Sequence, residues 1–196
     1  MIENSTTSPL RRTLVSSHGF IPMNWRERGV GIARIIFGLA YVVAATLKWQ
    51  PQFQNTFAAQ VTVAKDGQPA LIQAWISFWA NIVGVNPLLF ARIEATTESA
   101  IAIFLIFGIF SNLTAIVGIF LSLSIWSVPE GFGGPYMPGH STDIGTAFPY
   151  AILFVVLLSI SAGRYYGLDS WLTPRLGRLG FLASGSLRRS RKQLLS

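Results

Sequence analysis

Three charged residues lie close together within an apolar stretch of the sequence. Arg92, Glu94 and Glu98 fall in a run of about forty mostly apolar residues, 88–128. On a helix, residues four apart share one face and are separated by about 6 Å along the axis, as the two glutamates would be. Two carboxylates on one buried face repel each other, so at least one of them needs a proton or a nearby cation. Their types and spacing are therefore typical of a proton relay or a ligand site.

Lys48 is the natural cation for the two glutamates, and Arg92 is the second candidate. Lys48 lies at the end of another apolar run, 30–49, whereas Arg34 lies near its start, about 20 Å away and too distant to serve the same site. We expect the charged head of Arg34 to extend to the polar surroundings of the helix end. The cluster is either an ion pair that locks helices together or a site that binds a ligand or relays a proton. Because charges inside apolar segments are costly, the second interpretation is favoured.

A loop rich in Gly and Pro carries a second group of candidate residues. Its sequence, PEGFGGPYMPGHSTDIGT over 129–146, predicts a series of turns. Tyr136, His140 and Asp143 are residue types that bind substrates or transfer protons, and Asp143 can also cap a following helix. One His and one Asp make a weak acid–base or metal signal, and no metal site is predicted from them.

Composition excludes several kinds of redox chemistry and catalysis. Cysteine is absent, which rules out disulfides, thiolate metal sites, iron–sulfur clusters and cysteine nucleophiles. The predicted membrane spans contain no histidine, so we expect no intrinsic haem held between facing histidines. The sequence also lacks a helix-opening GxGxxG, a P-loop and a GxSxG motif.

Composition also indicates that the charged candidate residues lie on membrane helices. Only 12% of the residues are charged, against about 25% in soluble domains, and the mean hydropathy is +0.49. An apolar run of about 20 residues can cross a bilayer as a helix. The predicted spans are 30–49, 88–110, 113–128 and 147–162. With an amphipathic helix at the membrane interface over 69–85, the expected fold is all-α, an integral membrane four-helix bundle with one additional interfacial helix.

An alternative division of the middle of the chain also gives four crossings. It makes 71–91 one span and 99–126 another, which places the charged cluster in a cytoplasmic turn. The first division is favoured because Asn86-Pro87 is typical of a helix start, with a capping Asn followed by Pro at the first helical position.

The distribution of Lys and Arg predicts the orientation. Twelve of the fifteen cations precede or open the first span or follow the last, and cations near span ends stay in the cytoplasm. Both termini of this multi-pass cell-membrane protein are therefore expected inside, with 51–86 and 129–142 outside. The predicted parts are a cytoplasmic N-terminal segment (1–28), a membrane domain (29–169) and a basic cytoplasmic tail (170–196). The tail suits lipid headgroups, and no nucleic acid partner is expected.

Three stretches of the sequence resemble one family of membrane proteins. They are ARIIFGLAYVVAATLKWQPQF in the first span, IFGIFSNLTAIVGI between the second and third, and GPYMPGHSTDIGTAFPYAILFVVLLSISAGRYYGLD from the loop through the fourth. They resemble the DoxX-like proteins, and more closely their DoxD branch, over about residues 28–169. The resemblance implies the membrane subunit of a thiosulfate:quinone oxidoreductase. Such a system oxidises thiosulfate to tetrathionate at the outer face, reduces membrane quinone and includes a DoxA partner.

The resemblance also bears on the candidate residues. Lys48 and Glu98 lie where the family tends to have charged positions in its first two spans. His140 and Asp143 fall within its loop motif, whereas Asn112 replaces the Arg usual in the turn between spans two and three. The resulting hypothesis assigns catalytic roles to Glu94, Glu98, His140 and Asp143, and substrate-binding roles to Lys48, Arg92 and Tyr136.

Two functions of different kinds are compatible with these features. In the first, the chain belongs to a thiosulfate dehydrogenase that uses quinone as electron acceptor, with the dianion near Lys48 and Arg92 and the quinone among aromatic side chains. In the second, it is a non-catalytic accessory subunit of a respiratory or other membrane complex. Both imply membrane lipid and further membrane or extracytoplasmic subunits as partners. The buried acid pair favours the first, and the missing redox ligands favour the second.

Overall fold

The computed structural model describes residues 24–137 and 143–184, and these residues form helices and connecting turns with no β-strand. Their α-helices are α1 (Trp25–Lys48), α2 (Pro51–Val63), α3 (Ala70–Val85), α4 (Pro87–Phe107), α5 (Ser111–Ser127), α6 (Ala147–Ser159) and α7 (Asp169–Leu172). Short 3₁₀ helices lie at Gly131–Gly133, Ala162–Arg164, Thr173–Arg175 and Gly177–Leu182. The all-α prediction is confirmed for these residues.

The helix boundaries in the middle of the chain follow the first of the two predicted divisions. The Asn86 side chain accepts a hydrogen bond of 3.1 Å from the Leu89 amide and caps α4, whose first residue is Pro87. At the other end of α4, Gly108 has a left-handed backbone conformation (φ +61°) that ends the helix. A continuous helix over 99–126 is therefore excluded, and the alternative division is wrong.

The sequence interpretation contains no helix at the position of α2. The first residue of α2 is Pro51, and its apolar side chains Phe53, Phe57 and Val61 recur every four residues. Phe57 and Val61 are buried. Pro at the first helical position and the four-residue spacing are the signals that could have identified this helix.

Among the described residues, α1, α4, α5 and α6 contribute to one core. α1 packs chiefly against α4, and α5 packs chiefly against α6. Glycines permit this close contact. A Cβ atom at Gly38 of α1 would lie 3.0 Å from the Ile106 amide nitrogen, and one at Gly118 of α5 would overlap the Phe154 ring. The core side chains are Phe37, Tyr41, Ile101, Ala102, Leu105, Ala115, Phe154, Leu157 and Ala162.

Within the described ranges, α1 is the one helix that is both long and apolar enough to cross a membrane. The apolar helices α3, α5 and α6 are shorter, with 16, 17 and 13 residues. The 21 residues of α4 include Arg92, Glu94 and Glu98. By length and composition, the described helices therefore provide a single candidate span.

Arg34 is buried at one end of the core, and this contradicts the expectation that its charged head reaches polar surroundings. The residue is 1% exposed. Its guanidinium donates hydrogen bonds to backbone carbonyls of two segments, Leu105 and Ile106 in α4 and Tyr165 and Tyr166 after α6. The last carbonyls of a helix have no partner within it, so a buried Arg that satisfies them replaces the contacts it would make with water. We call this end of the core the Arg34 end and the opposite end of α1 the Lys48 end.

Asp169 joins the segment after α6 to the start of α5. Its side chain is fully buried, and Oδ2 accepts hydrogen bonds of 2.9 Å from the amides of Ser111 and Ser184. The Asn112 side chain accepts a further hydrogen bond of 2.8 Å from the Ser184 hydroxyl. Residues 169–184 therefore belong to the folded unit, and the predicted start of the tail falls within it. The predicted N-terminal segment up to residue 23 and the tail from 185 lie outside the described residues.

Replacing Arg34 with Gln should lower the free energy of unfolding by about 3–5 kcal/mol, because the buried carbonyls of α4 and of the segment after α6 lose a charged hydrogen-bond donor. Arg28→Gln changes an exposed position of the same helix and should alter stability by less than about 0.5 kcal/mol. Denaturant unfolding of the purified protein in detergent, followed by circular dichroism, measures both values. Equal stability of the two variants would show that the Arg34 contacts do not stabilise the fold.

Candidate functional site

The Lys48 end of the core holds an ion pair between α1 and α4. Lys48 is the last residue of α1, and Glu94 is the eighth residue of α4. The Lys48 ammonium donates to Glu94 Oε1, and the two side chains are 22% and 10% exposed. The ammonium also lies 4.2 Å from the centre of the Phe53 ring, and the Gln54 side chain donates to the Lys48 carbonyl at 2.7 Å. The structure thus brings together the lysine and the carboxylate that the sequence pairs.

Glu98 lies one helical turn further along α4, on the same face as Glu94. It is 4% exposed, and its Oε2 has no hydrogen-bond partner among the described residues. A buried carboxylate oxygen without a partner is costly and marks a group that is available to a proton or a ligand. The structure therefore keeps both glutamates as candidates.

Arg92 lies on a different face of α4 from Glu94 and Glu98. It precedes Glu94 by two residues, and two residues of an α-helix are separated by about 200° around its axis. Arg92 is accordingly exposed, whereas Glu94 and Glu98 are buried. The expectation that Arg92 serves as a second cation at this cluster is not met.

Two adjoining cavities meet at Glu94. The first, which we call the aromatic cavity, has a volume of about 270 Å³ and lies between α2, α3, α4 and α5. Its lining includes Phe57, Val61, Trp75, Trp79, Phe90 and Ile125. The second, which we call the polar cavity after its charged residues, has a volume of about 580 Å³ and is lined by Lys48, Gln60 and Glu130 beside apolar side chains that form most of its wall. Of the charged residues in the two linings, Glu94 alone belongs to both cavities.

Trp79 carries an unused hydrogen-bond donor at the aromatic cavity. Its indole Nε1 is buried and has no acceptor within the described part of the chain. A buried Trp N–H usually has a partner, so this one is a candidate donor to an oxygen atom of a ligand. The sequence interpretation includes Trp79 in the interfacial helix without a functional role, because the depth of a single indole is not visible in a pattern.

The structure keeps the described loop candidates away from the ion pair. Tyr136 is exposed, and its hydroxyl donates to the Phe132 carbonyl at 2.5 Å. Asp143 is exposed and accepts a hydrogen bond of 2.8 Å from the Gly145 amide, which shapes a turn. Neither Tyr136 nor Asp143 lines the aromatic or the polar cavity. His140 lies outside the described residues.

Glu130 has a structural role that the sequence interpretation misses. It lines the polar cavity and accepts hydrogen bonds from the Thr146 hydroxyl and, at 3.0 Å, from the Ala147 amide. A carboxylate at a helix N-terminus is favourable, so Glu130 anchors the start of α6. The sequence instead predicts a cap from the residues just before α6, such as Asp143. A partner sixteen or seventeen positions away leaves no local signal.

Comparisons with known proteins do not identify the site. No protein-family model matches the chain, and no curated protein or solved structure matches it significantly. In the part of the chain that the structure describes, no group of three or more His, Asp or Glu side chains could hold a metal ion. The ion pair and its two cavities are therefore the features that bear on function.

The interaction between Lys48 and Glu94 should be measurable with a double-mutant cycle. We expect a coupling energy of about 1–3 kcal/mol between Lys48→Met and Glu94→Gln, because the two groups contact each other in a partly buried setting. The control cycle pairs Glu94→Gln with Lys65→Met, in the turn after α2, and should give a coupling below about 0.5 kcal/mol. Unfolding in detergent supplies all the required free energies. The same coupling in both cycles would mean that the ion pair does not join α1 to α4.

Proposed function

We propose that this chain is the quinone-binding membrane subunit of a thiosulfate:quinone oxidoreductase-like system in the cell membrane. The observation that carries the proposal is the position of Glu94, paired with Lys48 and lining an aromatic cavity. A quinone combines an apolar body with two polar carbonyl oxygens, and sites for such ligands are mostly apolar with a few placed polar groups. The aromatic cavity supplies apolar walls, the Trp79 N–H as a donor and Glu94 as a proton carrier.

In this proposal, α1, α4, α5 and α6 cross the membrane as a four-helix bundle, and α3 lies at its interface. Large apolar side chains are exposed on the helices, among them Ile36 on α1, Phe120 on α5 and Val155 on α6. Exposed apolar surface of this kind suits contact with lipid. The buried glutamates of α4 face protein, so they are compatible with a membrane crossing. Among the described residues, six of the nine cations lie toward the Arg34 end, so in this proposal the Lys48 end is outside. They are Arg26, Arg28, Arg34, Arg164, Arg175 and Arg178.

The proposed topology can be tested with single cysteines, since the chain contains none. Asp66→Cys, at an exposed position of the turn between α2 and α3, should react with a membrane-impermeant maleimide added to intact cells. Arg28→Cys, exposed at the start of α1, should react only after the membrane is opened. Labelling of both cysteines in intact cells, or of Arg28→Cys alone, would contradict the topology.

The reaction assigned to the system balances with two electrons and two protons. Two thiosulfate ions form one S–S bond as tetrathionate and release two electrons, and quinone takes up these electrons and two protons to become quinol. Trp79 donates a hydrogen bond to a quinone oxygen, and two protons delivered through Glu94, one to each oxygen, complete the quinol. Lys48 holds the Glu94 carboxyl group in position.

Thiosulfate oxidation belongs to a partner in this proposal. The polar cavity contains Glu94 and Glu130 beside Lys48, and this balance of charge does not favour a dianion. An extracytoplasmic DoxA-like subunit would bind thiosulfate and pass its electrons to the quinone. The 129–146 loop, with the candidates Tyr136, His140 and Asp143, would contact this partner or its substrate.

Ser124→Phe should fill the aromatic cavity from α5 and weaken quinone binding at least about tenfold, because the ring occupies the volume that the ligand needs. Ser159→Phe on α6 is the matched control: both serines are exposed, and each hydroxyl donates to the carbonyl four residues earlier. Quenching of tryptophan fluorescence by a short-chain quinone measures the affinity of the purified protein.

The rate of thiosulfate-dependent quinone reduction, measured on the complex isolated from its native membrane, should fall in Ser124→Phe and not in Ser159→Phe. Unchanged quinone affinity in Ser124→Phe would contradict the proposed position of the quinone. Absence of thiosulfate-dependent reduction by the parent complex would contradict the proposed system.

An accessory role is the second candidate function, and one observation favours it. The Lys48–Glu94 pair is complete within the chain, so it can serve to lock α1 to α4 without any ligand. In that case the chain would be a non-catalytic subunit of a respiratory or other membrane complex. It would then show no saturable quinone binding in the titration above, and Ser124→Phe would have no effect.

A further inference from the structure

A series of polar side chains extends from the ion pair into the core. Glu98 follows Glu94 by one turn of α4, and its Oε2 is buried without a partner among the described residues. Deeper in the core, the Tyr41 hydroxyl of α1 lies 3.5 Å from the Ser122 hydroxyl of α5, and both residues are buried. Tyr41 also interacts electrostatically with Glu98. We call Glu94, Glu98, Tyr41 and Ser122 the polar series.

The polar series ends at a layer of aromatic rings. Phe37, one turn before Tyr41 on α1, packs against Phe154 of α6 with their ring centres 4.9 Å apart. Phe154 also contacts the Tyr41 ring, at 5.6 Å, and is fully buried. The other buried apolar side chains of this core cluster are Ile101, Ala102, Leu105, Ala115, Leu157 and Ala162. Because protons move along polar groups and water, this apolar layer separates the polar series from the Arg34 end.

At its other end, at Glu94, the polar series reaches the polar cavity. Glu94 lines the polar cavity, whose wall is completed by residues of α2 and by Glu130. The charged and titratable groups that face Glu98 are Glu94 on its own helix and Lys48 and Tyr41 on α1. Water in the polar cavity can therefore reach Glu94, and through it Glu98, from the Lys48 end.

We propose that Glu98 is the second proton carrier of the site, that it supplies one of the two protons of each quinone reduction through Glu94, and that these protons enter from the Lys48 end and not from the Arg34 end. This inference rests on the proposed function, because it requires a quinone in the aromatic cavity. For each quinone, two electrons arrive from thiosulfate. Glu94 delivers its proton to one quinone oxygen, and the Glu98 proton then passes through Glu94 to the other. Water in the polar cavity returns both protons at Glu94, and one of them passes on to Glu98.

The side of proton uptake can be measured on the parent complex. We expect that, in liposomes carrying the complex in one orientation and a ubiquinone, thiosulfate added outside makes the solution at the Lys48 end alkaline, with two protons consumed per quinone. A pH dye trapped inside the liposomes and a second dye outside distinguish the two ends. Alkalinisation at the Arg34 end would overturn the inference while leaving the proposed function intact. If the parent complex neither binds nor reduces quinone, the proposed function and this inference both fail.

Variants test the role of Glu98 itself. Glu98→Gln should lower the turnover number at least about tenfold, while the KM for quinone stays within about twofold, because the residue does not line the aromatic cavity. Glu98→Asp, which retains a carboxyl group, should restore most of the turnover. Asp66→Asn removes an exposed carboxylate and should leave turnover unchanged. Full turnover in Glu98→Gln would show that Glu98 is not a proton carrier. Equal loss of turnover in the Gln and Asp variants would also overturn the proposal, because a purely structural role predicts that result.

Discussion

Burying charge in an apolar core is costly, and the contacts that offset this cost fix how α1 and α4 pack. At one end of the antiparallel pair, Lys48 meets Glu94. At the other end, the Arg34 guanidinium satisfies carbonyls at the end of α4 and in the segment after α6. Each charge has its partner in only one register of the two helices, because a shift by one residue would turn the partner by about 100°. The glycine contact at Gly38 then lets the two helices approach closely.

In this register, the cavities and the candidate functional residues lie at the Lys48 end, and the Arg34 end holds contacts that stabilise the fold. The Arg34 end is closed, with backbone carbonyls around a buried guanidinium and residues up to Ser184 packed on the start of α5 through Asp169 and Asn112. At the Lys48 end, α2 and α3 cover the ion pair and leave two cavities that share Glu94. The same glutamate therefore lines the aromatic cavity, where the proposed quinone would bind, and the polar cavity, which brings it beside Lys48 and Glu130. A proton carrier between two such compartments is what quinone reduction requires.

The parts of this arrangement that follow short-range rules could be predicted from the sequence. Asn86-Pro87 predicts the start of α4, because the Asn86 side chain caps the helix through a hydrogen bond from an amide three residues later. The four-residue spacing of Glu94 and Glu98 predicts that both lie on one face, and both are buried. The environment of Arg34 could not be predicted, because its partners are backbone carbonyls more than seventy residues away. Every residue has a backbone carbonyl, so the sequence does not mark these as the partners. For Arg92 the sequence prediction was wrong. Arg92 is near Glu94 in sequence, but the two residues lie on different faces of α4, so they do not share a site. The open Trp79 donor depends on how α2, α3, α4 and α5 enclose a space, and no single segment encodes that.

Locating bound quinone tests most directly whether the aromatic cavity beside Glu94 is a quinone site. A photoreactive azidoquinone, activated on the complex in its native membrane, should label residues that line the aromatic cavity, on α3 near Trp79 and on α5 near Ile125. An excess of unmodified quinone should suppress this labelling, and peptide mass spectrometry locates the modified residues. Label found only on the lipid-facing sides of α1 and α6, or label that competing quinone does not reduce, would contradict a quinone site beside Glu94.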